Sequence, residues 1–522
     1  MNPFKNVFMP NVGKNRFDLS HDVKLSFNMG DLVPTMVMDV LPGDSITMSA
    51  EKLLRFQPLI APVMHRVDVT SHFFFVPNRI LWDNWENFIT GNEDVEAPYI
   101  RVGGTEFGQL TIPEGSLGDY MGLPTGESED LYNVNALPFA AYTKIWDEYY
   151  RDQNLQDEQF RPLLDGNNGA NNYLNLAKST PLHRAWNHDY FTSALPFAQK
   201  GDEVTLPLAD QAFDVELKTD FPLDVVTAKR AIDGTPSSSG NMGISSAGGI
   251  NLSGQNLVLD PEGSLEVDLS SGESLTINAL RRLHRLQEWL EKNARGGTRY
   301  IEQIKAHFGV SSSDKRLNRP EYIGGSKGRM SISEVLTSVA GIGEQPNTVD
   351  PAGTMKGHGV SVSGGNTFRY NAEEHGWIIG IINVQPKTAY QQGLHRMYSR
   401  FDKLDYAFPT FANIGEQAIL NKELYIDLPE DEQNEVFGYI PRYSEYRYMN
   451  NRVAGDFKST LDYWHFGRIF GNKPTLNDAF VECDPPERPF AVLNEDDHKI
   501  LAHVYNNVSA VRKLPKFAIP TI

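Results

Sequence analysis

The chain has 522 residues, 40% hydrophobic and 22% charged, which is enough apolar content to build a core and excludes wholesale disorder. Lys and Arg number 48 against 67 Asp and Glu, so the net charge of −19 repels phosphate at long range and argues against a general binder of naked DNA or anionic membrane. A single cysteine, Cys483, excludes an intrachain disulfide and any multi-cysteine zinc site, and 43 Gly with 31 Pro favour a turn-rich chain over a helical bundle.

The first segment, MNPFKNVFMPNVGKNRFDLS, lacks the apolar core of a signal peptide. The longest apolar run, Trp377 to Ile382, is far short of the roughly 20 residues a spanning helix needs. A soluble protein made in a reducing cytosol is expected. Residues up to about 90 read as strands. Val23, Leu25 and Phe27 alternate with polar neighbours, Met36, Met38 and Val40 follow, and Pro42-Gly43-Asp44 signals a turn before Ile46 and Met48. Val67, Val69, Phe73 and Phe75 share one face of the clearest strand. Phe74 and Val76 make its far end apolar on both faces, so that end is expected to be covered. Trp82 to Phe88 suggests a short helix ending at Gly91, and 138–160 suits a longer helix, with Ala141, Ile145 and Tyr149 four apart. Residues 91–130 and 165–200 read as irregular.

The sharpest compositional break covers Ala231 to Leu280. It holds no Lys or Arg, eight Gly, ten Ser and six acids. Such a stretch buries too little apolar surface to offset an ordering cost of roughly 1–2 kcal/mol per residue, so it belongs outside the core. Within it, VLDPEGSLEVDLSSGESL has the pattern of a hairpin. Ile277, Leu280, Leu283, Leu286 and Leu290 then mark one face of a helix, with Thr276 as N-cap and Gly296-Gly297 as stop. A second helix is expected over Thr298 to Phe308, with Gly309 as its cap. Residues 311–372 read as loop-rich, His375 to Thr388 as a buried strand ended by Pro386, and 400–470 as short strands among aromatic loops such as Tyr439 to Tyr446. No repeat of 20–50 residues is visible.

Catalytic patterns are weak. His183 and His188 are five apart, the wrong period for two ligands on one helix face, and Asp189 adjoins the second. Glu373-Glu374-His375 reads as charge at a strand edge. Gly324-Gly325-Ser326-Lys327-Gly328-Arg329 resembles a phosphate cradle, but Gly328 stands where Ser or Thr must follow the lysine. Cys483 has no nucleophile signature. No enzyme activity, cofactor or metal is expected. Arg281, Arg282 and Arg285 read as a solvated helix face. Arg512, Lys513 and Lys516 form a basic terminal arm suited to phosphate contact, as do Lys5, Lys14 and Arg16 more sparsely, with ordinary surface charge as the alternative for each.

NRFDLSHDVKLSFNMGDLVP (15–34), the stretch from LPGDSITMSAEKLL to WENFITG (41–91), ARGGTRYIEQIKAHFGVSSSDKRLNRPEYIGG (294–325) and the terminal VRKLPKFAIPTI resemble the major capsid proteins of the microviruses, small phages with circular single-stranded DNA, and most closely the gokushovirus branch. The resemblance implies a mainly β protein, an eight-stranded antiparallel jelly roll with long loop insertions and a few short helices. It implies a T = 1 icosahedral shell, with 1–200 and 281–522 as the core and 201–280 as an insertion forming a protrusion at the three-fold axis. That insertion is expected to contribute to host attachment, with Gly234, Ser238, Gly243, Gly248 and Gly254 marking the attachment loop. The implied partners are copies of the chain itself, the DNA genome, a small basic DNA-binding protein, an internal scaffolding protein, a minor pilot protein and a bacterial surface receptor, with no membrane. Assembly is expected in the bacterial cytoplasm. The alternative is a phage surface β-protein that binds or cleaves glycans, for which aromatic loops and acidic pairs would also be suited.

Overall fold

In the computed structural model the described residues are 13–91, 95–103, 111–126, 130–202, 204, 277–336, 338, 353–492, 494 and 497–517, with the backbone alone of eight short strand segments between 215 and 267 and at 341–342 and 349–350. The chain divides into two compact units, 1–200 with 292–522 and 201–291.

The larger unit is built on two antiparallel sheets. The strands of these two sheets are β1 (Asn15–Asp18), β2 (His21–Phe27), β3 (Val33–Val40), β4 (Ser45–Phe56), β5 (Val67–Pro77), β6 (Glu321–Arg329), β7 (Ser331–Leu336), β8 (Met355–Ser363), β9 (Phe368–Asn371), β10 (Gly376–Pro386) and β11 (Ile500–Arg512). The first sheet runs β1-β11-β4-β8-β7, with β2 also on β11 and β9 also on β4; the second runs β6-β5-β10-β3. The chain crosses repeatedly between them. β2, β4, β8 and β11 lie in the first sheet, while β3, β5, β6 and β10 lie in the second. This is the crossing pattern of a jelly roll. The first sheet has seven strands and the second four.

The core follows from period-two alternation. Along β4, Ile46, Met48, Ala50, Leu54 and Phe56 are buried while Thr47, Glu51 and Arg55 are exposed. They meet Val67, Val69, Phe73 and Phe75 of β5 and Ile378, Ile382 and Val384 of β10 between the sheets. One inward position is polar. Lys52 is buried, hydrogen-bonds Ser326 and is pushed down to about 8 by burial. On its other face the second sheet is covered, as the two-sided apolar end of β5 requires. Phe74, Val76, Ile379 and Ile381 pack with Tyr142, Ile145 and Trp146 of helix α1 (Leu137–Tyr149). The helix expected over 138–160 stops eleven residues early, because Asp152 Oδ1 accepts from the backbone N–H groups of Asn154 and Leu155 and turns the chain. The short helix near Trp82 spans Trp85–Thr90 and ends on Gly91 at φ 69°. Tyr300–Phe308 likewise ends on Gly309 at φ 69°.

Further expectations for the larger unit need correction. The stretches 91–130 and 165–200, read as irregular, contain the strand Tyr99–Val102 and the short helices Leu117–Tyr120 and Tyr173–Lys178. The stretch 311–372, read as loop-rich, contains β6, β7, β8 and β9. The terminal segment, read only as a basic arm, begins in β11, a 13-residue strand of the first sheet lying between β4 on one side and β1 and β2 on the other.

In the smaller unit, Val215–Leu217 pairs with Leu265–Val267, Ala228–Arg230 with Leu257–Leu259, and Met242–Ile244 with Ile250–Leu252, all antiparallel. The pairs are nested, so the segment runs outward to Ile244 and returns from Ile250. The hairpin expected inside VLDPEGSLEVDLSSGESL is therefore replaced, since both of its arms pair with the earlier half of the ribbon. The helix expected from Ile277 spans Ile277–Gly296; its proposed cap, Thr276, lies outside the described residues.

Candidate nucleic-acid interface

The two ends of the chain meet in the first sheet. β1 pairs with the last turn-proximal residues of β11 in the register Asn15 to Arg512, Arg16 to Val511, Phe17 to Ala510 and Asp18 to Ser509. Lys14 and Arg16 are thereby brought beside Arg512 and Lys513. Lys14 Nζ donates to the Gly43 carbonyl at 3.4 Å, Arg16 Nε to Ser509 Oγ at 2.6 Å, and Asn15 Nδ2 to the Leu514 carbonyl at 2.7 Å. The centre of this corner is the turn Leu41 to Asp44. Gly43 adopts φ 86° there, a left-handed conformation that favours glycine.

The tail cations do different work. Arg512 Nε lies 2.8 Å from Oδ2 of Asp44, a carboxylate that is buried, and a terminal Arg512 nitrogen donates to the Asp39 carbonyl at 2.8 Å. Asp44 Oδ2 also accepts from the Leu41 N–H at 3.1 Å. Arg512 is thus a clamp joining β11 to the turn. Lys513 and Lys516 are exposed, as are Lys14 and Arg16. Lys14 and Lys513 therefore approach the turn at Gly43 from the two strands, with Arg16 on Ser509 beside Asp18, and exposed cations of this kind attract phosphate at short range. Lys5 lies outside the described residues. So do Gly234, Ser238, Gly248 and Gly254; Gly243 lies in Met242–Ile244, described by its backbone.

The residues considered for catalysis are engaged in the fold. His183 pairs with Asp31, Nε2 to Oδ1 at 3.2 Å. Asp189 is buried and accepts from the N–H groups of Phe191 and Thr192 at 2.9 and 2.8 Å. Glu374 pairs with Arg79 at 2.8 Å, and Glu373 pairs with Lys315. The Cys483 thiol is buried and pushed up to about 12 by burial, which suppresses the thiolate. Gly324 and Gly325 of the GGSKGR run lie on β6 where its neighbours leave no room for side chains. A Cβ on Gly324 would strike the Phe368 ring, and one on Gly325 would strike His72 and the Ser71 carbonyl. Lys327 reaches back to the buried Asp68, 2.8 Å from Oδ2, which Lys387 also approaches at 3.0 Å. Burial raises the Asp68 carboxyl, but those two lysines outweigh it and hold it below its usual range. Among the described residues no helix is long and apolar enough to cross a membrane.

Composition found the cations. It did not find the clamp, because Asp44 and Arg512 stand at opposite ends of the sequence and only the pairing of β1, β4 and β11 joins them.

Comparison with known proteins agrees with this architecture. The family described as Capsid protein (F protein) matches residues 6–522. Capsid protein VP1 of Chlamydia phage 1 is 36% identical over 99% of this chain and 97% of its own length. Capsid protein VP1 of Bdellovibrio phage phiMH2K is 35% identical over 97% and 95%, and that of Spiroplasma virus 4 is 30% identical over 98% and 95%.

Proposed function

The chain belongs to the phage capsid protein (F protein) family, and from that premise we propose that it closes a T = 1 icosahedral shell, one copy per asymmetric unit, around a circular single-stranded DNA genome. It is a structural protein of the virion, not an enzyme, and it associates with copies of itself. The observation that carries the reading is the match along nearly the whole chain, on a unit whose two sheets cross in the jelly-roll manner. Closure comes from repeated contacts between identical subunits, and no covalent bond changes.

Within this reading the core is 1–200 with 281–522, and 201–280 is the surface insertion, standing as a protrusion at the three-fold axis and touching the bacterial receptor. The nested ribbon between Val215 and Val267 supports it, since paired arms carry their apex away from their base. Lys14, Arg16, Lys513 and Lys516, together with Lys5, contact the genome locally. A separate small basic protein neutralises most of the DNA charge, and an internal scaffolding protein and a minor pilot protein join during assembly in the host cytoplasm. Electron microscopy of purified particles tests the reading, with wild type and a deletion of 234–256 in parallel. The expected result is icosahedral particles dominated by this chain in both, with adsorption to cells changed only by the deletion. A wild-type chain that stays monomeric or dimeric in infected cells refutes the shell. Loss of particles on deletion refutes the attachment role and makes the insertion an assembly contact.

A further inference from the structure

Large apolar side chains are normally buried, and a patch of them held rigidly at the surface marks a contact. Two loop segments of the larger unit, 396–411 and 442–449, carry such a patch. Phe401 is 92% exposed and Met449 71%; Tyr398, Leu404, Tyr406 and Tyr446 are each half or more exposed. Contacts join the two segments that carry these side chains. The Ala407 N–H donates to the Tyr446 hydroxyl at 3.3 Å. The Arg400 guanidinium lies 4.2 Å from the centre of the Tyr446 ring and 5.8 Å from that of Tyr406. Tyr398 and Met449 line the same cavity.

The patch is fixed from below. Arg400 pairs at 3.3 Å with the buried Glu445, Gln417 Nε2 donates to Glu445 at 2.7 Å, and the Tyr443 N–H donates to Gln417 Oε1 at 3.0 Å. Tyr443 sits at φ 64°, a left-handed conformation that is strained for a bulky residue and persists only where surrounding contacts impose it. Rotamers held in this way lose little entropy on docking, and tyrosine and arginine in such settings are the residues that dominate binding energy.

We propose that this patch is a contact between two copies of the chain in the shell. Three observations select a second copy as the occupant. The six side chains offer roughly 700 Å² of surface, close to the ~800 Å² each partner gives to a standard interface. The patch carries a small positive excess in a chain of net charge −19. Arg396 and Arg400 are spent on the buried Glu423 and Glu445, exposed Lys403 and Arg447 balance exposed Asp402 and Asp405, and Arg442 remains, 5.1 Å from the centre of the Tyr443 ring. Acidic copies that repel elsewhere can approach here. Self-association of the family supplies the partner.

The inference rests on the shell reading, and the test separates the two. Hydroxyl-radical labelling is compared between DNA-free shells of this chain alone and dissociated subunits. Tyr398, Tyr406, Tyr446 and Met449 are expected to lose labelling several-fold in shells. A Phe401→Asp/Tyr446→Asp variant is expected to keep the subunit's unfolding midpoint while lowering shell yield about tenfold or more, with Phe401→Leu near wild type. Shells whose patch labels like free subunits overturn the inference and leave the shell standing. Protection that appears only in DNA-filled particles, or only when another virion protein is added, also overturns it. A wild-type chain that forms no shells either alone or in infected cells overturns both.

Discussion

His183 sits where three segments of the larger unit meet. Nε2 lies 3.2 Å from Asp31 Oδ1, and Nδ1 lies 3.2 Å from the Cys483 carbonyl and 3.6 Å from Glu482 Oε1. Burial alone would push the imidazole down, but the hydrogen bond and charge of Asp31, with Glu482, outweigh it and raise it to about 9. His65 and His72 show the opposite balance. Each is pushed down to about 4, chiefly by burial, with His72 bonded to the Tyr150 hydroxyl at 2.8 Å and ringed by Phe74 and Tyr322. The signs follow from linkage. A base raised in the folded state contributes stability that is full below its unfolded value near 6.5 and is lost as pH rises through about 9. A base lowered in the folded state contributes stability present above about 6.5 and lost as pH falls toward 4. The urea midpoint of the unassembled subunit should therefore decline on both sides of neutrality, with His183 owning a share of the alkaline side. His183→Gln should destabilise by roughly 2–3 kcal/mol at pH 6 and by much less at pH 9.5. An equal gap at both pH values would show that the residue acts through shape rather than charge.

At the scale of elements, glycine inside a strand carries the larger lesson. Gly357 of β8 lies where a Cβ would strike the Ala61 carbonyl, because Leu59 and Gly357 exchange both backbone hydrogen bonds at 3.2 Å. Gly359 faces the Phe56 ring in the same way. Gly357→Ala should cost about 1–3 kcal/mol by overpacking, whereas Gly364→Ala, with open space at its Cβ, should stay within about 0.5 kcal/mol. Equal midpoints for the two variants in urea unfolding would remove the packing role. The same glycines explain why β6 and β8 read as loops: EYIGGSKGR and MKGHGVSVS satisfy their sheet by being small, and alternation of apolar residues cannot register a close approach of backbone. β4 and β5 were legible because their inward positions are large and apolar. β11 alternates Ala and Val with polar residues, an amplitude weak enough to be masked by the basic run after it. The nested ribbon of the smaller unit is a matter of pairing between distant tripeptides, and local pattern pointed to a hairpin within its second half instead.

For the whole molecule, net charge and local charge must be weighed together. Beyond a Debye length of about 8 Å at physiological salt the −19 of a subunit is largely screened, and within it the acidic surface repels DNA, so any grip on the genome has to come from local cationic sites. The corner where β1 meets β11 is the site proposed for that grip, and its members separate by what already holds them. Arg512 is committed to Asp44, whose carboxylate is almost fully buried; Lys513 and Lys516 face solvent. Arg512→Gln leaves that carboxylate without its cation and should lower subunit stability by about 3 kcal/mol. Lys513→Gln with Lys516→Gln should leave the unfolding midpoint unchanged, because neither charge is buried, but should lower the salt concentration at which particles release DNA, since each phosphate contact steepens the salt dependence of binding. Quantifying DNA retained by purified particles across a salt series, beside urea unfolding of the free subunits, reads both effects. Identical DNA release in the lysine variant and the wild type would assign those charges to contacts between subunits and leave the genome to other cations.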